Sequence, residues 1–171
     1  MAFDQIQLFL YPPGWQQQSV PLEDFRRASG QPVRMVSSVR DPESSATLVS
    51  FEEVFRWFEQ KGFRAQRRHS DYAELELPKS RDVRRAEIDV CLSAHNEELT
   101  NVCCRFLLHQ DTPRRLNHWA SLIRDLCAAF PLRISISDYD YAGADRFLSV
   151  LRTNRSWHHF ATQFGWPDAF G

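Results

Sequence analysis

The sequence predicts an α+β domain, a two-layer sandwich in which a mainly antiparallel sheet of about five to six strands carries helices on one face. Three observations predict it. Between Phe63 and His109 short segments alternate apolar and charged residues, the period of strands with one buried face. A 3.6-residue apolar stripe precedes that run and a second follows it, each opened by capping residues. With 171 residues, 43% of them hydrophobic and 25% charged, and no low-complexity tract or long linker, residues 1–171 read as a single globular domain with one core.

The first strand is read at Asp4 to Leu10, with Ile6, Leu8 and Leu10 on one side and Gln5, Gln7 and Phe9 on the other. Pro12-Pro13-Gly14 stops it. From Gln16 to Thr47 the pattern weakens. It suggests a short helix at Leu22 to Ala28, an extended piece at Val33 to Val39 and a loop at Asp41 to Thr47.

Ser50-Phe51-Glu52-Glu53 has capping-box spacing, so a helix should begin there. Phe51, Val54, Phe55 and Phe58 form its buried stripe, and Gly62 stands where a left-handed C-cap belongs. Four strands follow: Phe63 to Arg68, Tyr72 to Leu77, Ala86 to Leu92 and Leu99 to Leu108. Ala73, Leu75 and Leu77 oppose Glu74 and Glu76; Ile88, Val90 and Leu92 oppose Glu87 and Asp89; Val102, Cys104, Phe106 and Leu108 oppose Cys103 and Arg105. An antiparallel meander with one dry and one wet face is the expected result.

Thr112 or Asp111 can cap a second long helix, with Pro113 at or near its first position, that carries Leu116, Trp119, Ala120, Ile123, Cys127 and Phe130 down one side. Leu132, Ile134 and Ile136 alternate with Arg133, Ser135 and Ser137 as a fifth strand after the meander begins. Short helices at Ala144 to Arg152 and Ser156 to Phe164 close the chain.

A net charge of −1 gives no overall attraction to nucleic acid or anionic membrane. Four cysteines are too few for a disulfide framework, and the chain start lacks a secretory signal, which points to a reducing cytoplasm. No window approaches 18 consecutive apolar residues.

The main polar cluster is Asp138, Tyr139, Asp140, Tyr141 and Asp145, where the last strand gives way to a helix. Its opening mimics a calcium loop, but Ala142 and Ser149 occupy two ligand positions. Three readings remain: turn and cap residues, a carboxylate pair for a metal, or an acidic tyrosine surface for a basic partner. Glu74, Glu76, Glu87 and Asp89, with Lys79 nearby, offer a nuclease-like acidic site, although alternation alone already places acids on a solvated face, where Arg67, Arg68 and Arg105 can pair with them. The runs Arg64 to His69 and Arg81 to Arg85, with Arg114 and Arg115, are interrupted by acids and read as solvated arginines before a phosphate patch. Cys103 and Cys104 point to opposite faces, Cys91 and Cys127 read as small apolar fillers, and His158 and His159 diverge on a helix, so no zinc set forms. No glycine-flanked nucleophile or phosphate loop is present. Trp15, Trp157 and Trp166 are candidate contact aromatics.

The expected function is that of a non-enzymatic, cofactor-free cytoplasmic module that binds another protein. An inhibitor or immunity-type protein fits, masking a basic toxin or enzyme surface with Asp138, Tyr139, Asp140, Tyr141 and Asp145. The competing expectation is a metal-dependent hydrolase or nuclease using sheet-face or loop carboxylates, and the third is a homo-oligomeric structural protein.

Overall fold

A computed structural model describes residues 5–26, 30, 32–81, 87–107 and 113–136. Their element order is β1 (Gln5–Tyr11), β2 (Trp15–Arg26), β3 (Pro32–Arg40), α1 (Phe51–Gln60), β4 (Arg64–Arg68), β5 (Tyr72–Glu76), β6 (Ile88–His95), β7 (Glu98–Leu107), α2 (Pro113–Ala129) and β8 (Arg133–Ile136). The class is α+β, as expected. Six strands form an antiparallel sheet in the order β4-β5-β6-β7-β1-β8, and β2 and β3 form a separate two-stranded ribbon.

The meander lies as its alternation predicts, with β4 to β7 as successive neighbours. Strand β1 then inserts between β7 and β8, its register setting Leu8 against Cys104 and Ile136, and Leu10 against Val102 and Ile134. The turn after β1 follows from its residues. Trp15 donates its backbone N–H to Pro12 O at 3.1 Å across Pro13-Gly14, and Gly14 has φ +86°, the type II arrangement that places proline first and glycine second. A Cβ on Gly14 would also stand 2.6 Å from Ser44 Oγ, so the site is closed to side chains for two reasons.

Helix α1 begins and ends on its sequence signals. Ser50 is the N-cap, its hydroxyl accepting the Glu53 N–H at 3.3 Å. At the other end Gly62 adopts φ +93°, Gly62 N–H donates to Glu59 O at 3.0 Å and Phe63 N–H to Phe58 O at 3.1 Å. Those are the two bonds of a Schellman motif, and its hydrophobic contact is present as well: the Phe58 and Phe63 rings meet edge-on with centroids 5.0 Å apart.

One core cluster joins Phe51, Val54, Phe55 and Phe58 of α1 to Ala73 and Leu75 of β5, Ile88, Val90 and Leu92 of β6, Val102 and Cys104 of β7, and Leu10 of β1. Leu122, Ile123 and Leu126 of α2 belong to the same cluster, with Cys127 and Phe130 partly buried beside it. No described helix is long and apolar enough to cross a membrane.

Two expectations need correction. The short helix at Leu22 to Ala28 does not form over its described residues: Leu22 to Arg26 continue β2, whose partner is β3. The Leu22 and Phe25 spacing suits a helix turn, but Leu22 pairs with Val33 and Arg26 with Pro32 across the ladder, and that pairing overrides a weak local preference. The outer sheet face is also not wet throughout, since Tyr11, Glu98, Thr100 and Cys103 are buried there or at its margin, and Tyr11 and Cys103 lie outside the core cluster. The expected helices at Ala144 to Arg152 and Ser156 to Phe164 lie outside the described residues, as do the Asp111 and Thr112 caps.

Candidate functional site

The acidic cluster Asp138, Tyr139, Asp140, Tyr141 and Asp145 lies outside the described residues, as do His158, His159, Trp157 and Trp166. It follows directly on β8, an edge strand of the sheet. What the described residues do bring together is the polar outer face of β4 to β7.

Strand pairing sets the charges of that face against one another. Arg67 stands opposite Glu74, Arg64 opposite Glu76, and Asp89 opposite Arg105. Glu76 also accepts from Gln66 Nε2 at 2.8 Å. Glu74 accepts from the Tyr72 hydroxyl at 2.6 Å, and this bond, helped by Arg67 and Arg105 against a smaller desolvation effect, holds its carboxyl below the ordinary value. A carboxylate stabilised in its charged form is a poor proton donor near neutral pH, so Glu74 is not tuned as a general acid. Glu87 and Lys79 are exposed. Glu76 and Asp89 are register partners across β5 and β6, Glu74 lies two residues away on β5 and Glu87 precedes β6, and among the described residues no three His, Cys, Asp or Glu side chains gather as metal ligands.

The basic run Arg64 to His69 is likewise tied into the fold. Arg68 pairs with Glu52 of α1, and its guanidinium lies 4.0 Å from the centroid of the Phe55 ring. Side chains of Arg114 and Arg115 and the segment 82–86 are outside the described set.

The ribbon docks through a buried carboxylate. Glu98, only 7% exposed, accepts from Trp15 Nε1 at 2.8 Å and from an Arg40 guanidinium nitrogen at 3.1 Å, and Trp15 and Arg40 are themselves register partners at the base of the ribbon. Trp15 is therefore an anchor between two sheets, with its indole N–H engaged. Asn101 Nδ2 donates to Ser38 Oγ at 2.7 Å beside this contact, and the Tyr11 hydroxyl, also bonded to Ser38, is pushed up to about 12 chiefly by burial. The same hairpin end meets α1: Phe51 N–H donates to Glu97 O at 3.0 Å and Leu99 N–H to Val49 O at 2.8 Å.

Sequence reading missed one juxtaposition on this face. Cys91 of β6 is the register partner of Cys103 of β7. The hairpin turn at Asn96-Glu97, both at positive φ, pairs His95 with Glu98, and counting back from it would set Cys91 against Val102. A register shift beside Ser93 and Ala94 makes Thr100 the extra residue and moves Cys103 opposite Cys91. Nothing in the alternation of Leu99 to Leu108 marked the bulge. Comparison of the chain with protein-family models, with curated proteins and with solved structures found no match.

Proposed function

We propose that the chain works by binding another protein, as an inhibitor or immunity-type module in the cytoplasm. The contact segment is Asp138, Tyr139, Asp140, Tyr141 and Asp145, and its partner a basic toxin or enzyme surface. The observation that carries this reading is the position of β8. Among the described residues β8 is the last strand of a six-stranded sheet and ends at Ile136, two positions before Asp138 in the sequence, and residues that follow a strand end commonly carry binding function. Tyrosine next to carboxylates supplies apolar area and charge complementarity at once.

The outer-face carboxylates add support by being accounted for within the fold. Glu74, Glu76 and Asp89 each have an arginine as one register partner, although Glu76 and Asp89 also stand opposite each other, and no third carboxylate joins that pair among the described residues. We therefore favour a non-enzymatic module over a hydrolase or nuclease.

The test is capture from an extract of the native host, with the full chain immobilised beside its Tyr139→Ala, Asp140→Ala double variant. A specific partner should be retained at least about tenfold less by the variant, as expected when two central contacts are lost. Equal retention by both, or no partner for the wild type, overturns the reading.

A further inference from the structure

Cys91 and Cys103 face each other across β6 and β7. Both stand on the outer face, because their neighbours Val90, Leu92, Val102 and Cys104 fill the core. Directly opposed residues of an antiparallel pair have Cα atoms about 4.5 or 5.5 Å apart, and a disulfide spans both separations. Both are free thiols in the structure. Arg105, two residues beyond Cys103 on the same face, has a buried Nε without a hydrogen-bond partner, and its charge acts on Cys103. On the other flank the Tyr72 hydroxyl lies 3.6 Å from Cys91 Sγ.

We propose that Cys91 and Cys103 are a thiol-redox site that closes into a reversible cross-strand disulfide, with low-molecular-weight disulfides as the oxidant. Cys91 is half-buried and attacks first; Cys103, 8% exposed, resolves. The Cys91 thiolate attacks one sulfur of the small disulfide, whose S–S bond breaks, and the departing small thiolate takes up the proton that Cys91 gave up. The Cys103 thiolate then attacks Cys91 Sγ, forming the protein S–S bond and expelling the second small thiol, which takes the proton from Cys103. The two cysteines lose two electrons and two protons together, and the small disulfide becomes two thiols. In a reducing compartment such a bond is transient, as a sensor requires. The pair belongs to β6 and β7 and includes no residue of the acidic segment.

Burial pushes the Cys103 thiol up to about 12, the neighbouring Cys91 adding to the shift and Arg105 opposing it. Resolution therefore speeds up as pH rises. Tyr72 and Glu74 from β5, Asp89 from β6, Arg105 from β7, Arg67 from β4 and Tyr11 from β1 share the surroundings of the pair. Burial and the bonds to Glu74 and Cys91 raise the Tyr72 hydroxyl above its ordinary value, and the Tyr72 bond holds the Glu74 carboxyl below its own, so neither changes charge between about pH 7 and 9.

The experiment incubates the full chain with glutathione disulfide and maps thiols by alkylation and peptide mass spectrometry. The peptides of Cys91 and Cys103 should be joined, two hydrogens lighter, and separated again by dithiothreitol. Closure should quicken about tenfold per pH unit between roughly pH 7 and 9, following the Cys103 thiolate fraction. Arg105→Gln should slow it, because the guanidinium favours the Cys103 thiolate and its removal leaves less of that thiolate at any pH. In Cys91→Ser, Cys103 should stay unmodified over the time in which the wild type closes. Glutathione held on Cys91 with Cys103 still a thiol, a Cys103–Cys104 or intermolecular link, four unreacted thiols, or Cys103 reacting at the wild-type rate in Cys91→Ser each overturn the proposal.

Discussion

On their inner side β5, β6 and β7 present Ala73, Leu75, Ile88, Val90, Leu92, Val102 and Cys104, closed over by Phe51, Val54, Phe55 and Phe58 of α1. On their outer side the same strands present Glu74, Asp89, Cys91, Cys103 and Arg105, each with a particular opposite number. Inner contacts are non-directional, so they need apolar residues of about the right volume and tolerate exchange among them. Outer contacts are pairwise, so charge matching and thiol proximity exist in one register only. Stability should reside mostly on the first side and chemistry on the second.

The sharpest way to break that division is Phe58→Ala. The ring is fully buried, and it meets both Trp57 and Phe63 edge-on. Its removal should cost about 3–5 kcal/mol in urea denaturation. A loss below about 1 kcal/mol would mean that the inner side is not a close-packed core.

Glu98→Ala tests the exception, a buried charge on the polar side. It should cost about 1–3 kcal/mol, toward the lower end because Arg40 is 43% exposed and rehydrates. Trp15 loses its hydrogen bond in the same variant, so its fluorescence should change as the ribbon loosens. Unchanged stability together with an unchanged emission maximum would show that Glu98 does not hold the ribbon.

The smallest effect belongs to Glu74. Its carboxyl lies below the ordinary 4.5, so its favourable interactions are fully present above that pH and fade as pH falls through the lower folded value. Wild type and Glu74→Gln should therefore differ in melting temperature near neutrality and converge in acid. A gap that widened on acidification would reverse the sign of the Tyr72 and Arg67 contribution.

Much of the inner side was legible in the sequence because its signals are local. Ser50, Glu53 and Gly62 bracket α1 through bonds that span no more than five residues, and alternation in β5 to β7 assigns each side chain to a face without reference to any partner. One strand of the ribbon was legible, since the extended piece at Val33 to Val39 is β3, but its partner was not, because Leu22 to Arg26 take their conformation from pairing with β3 rather than from their own spacing. The candidate segment from Asp138 to Asp145 was chosen on residue type alone, and it lies outside the described residues.

By itself, then, the sequence determined that the described residues combine strands and helices around an apolar core and that α1 is capped by Ser50, since turn, cap and periodicity are properties of neighbours along the chain. Tertiary structure alone decided that β1 lies between β7 and β8, that Glu98 receives Trp15 and Arg40, and that the bulge at Thr100 brings Cys103 opposite Cys91. These depend on which strand lies beside which and in what register, and a single extra residue in one strand changes every pairing beyond it.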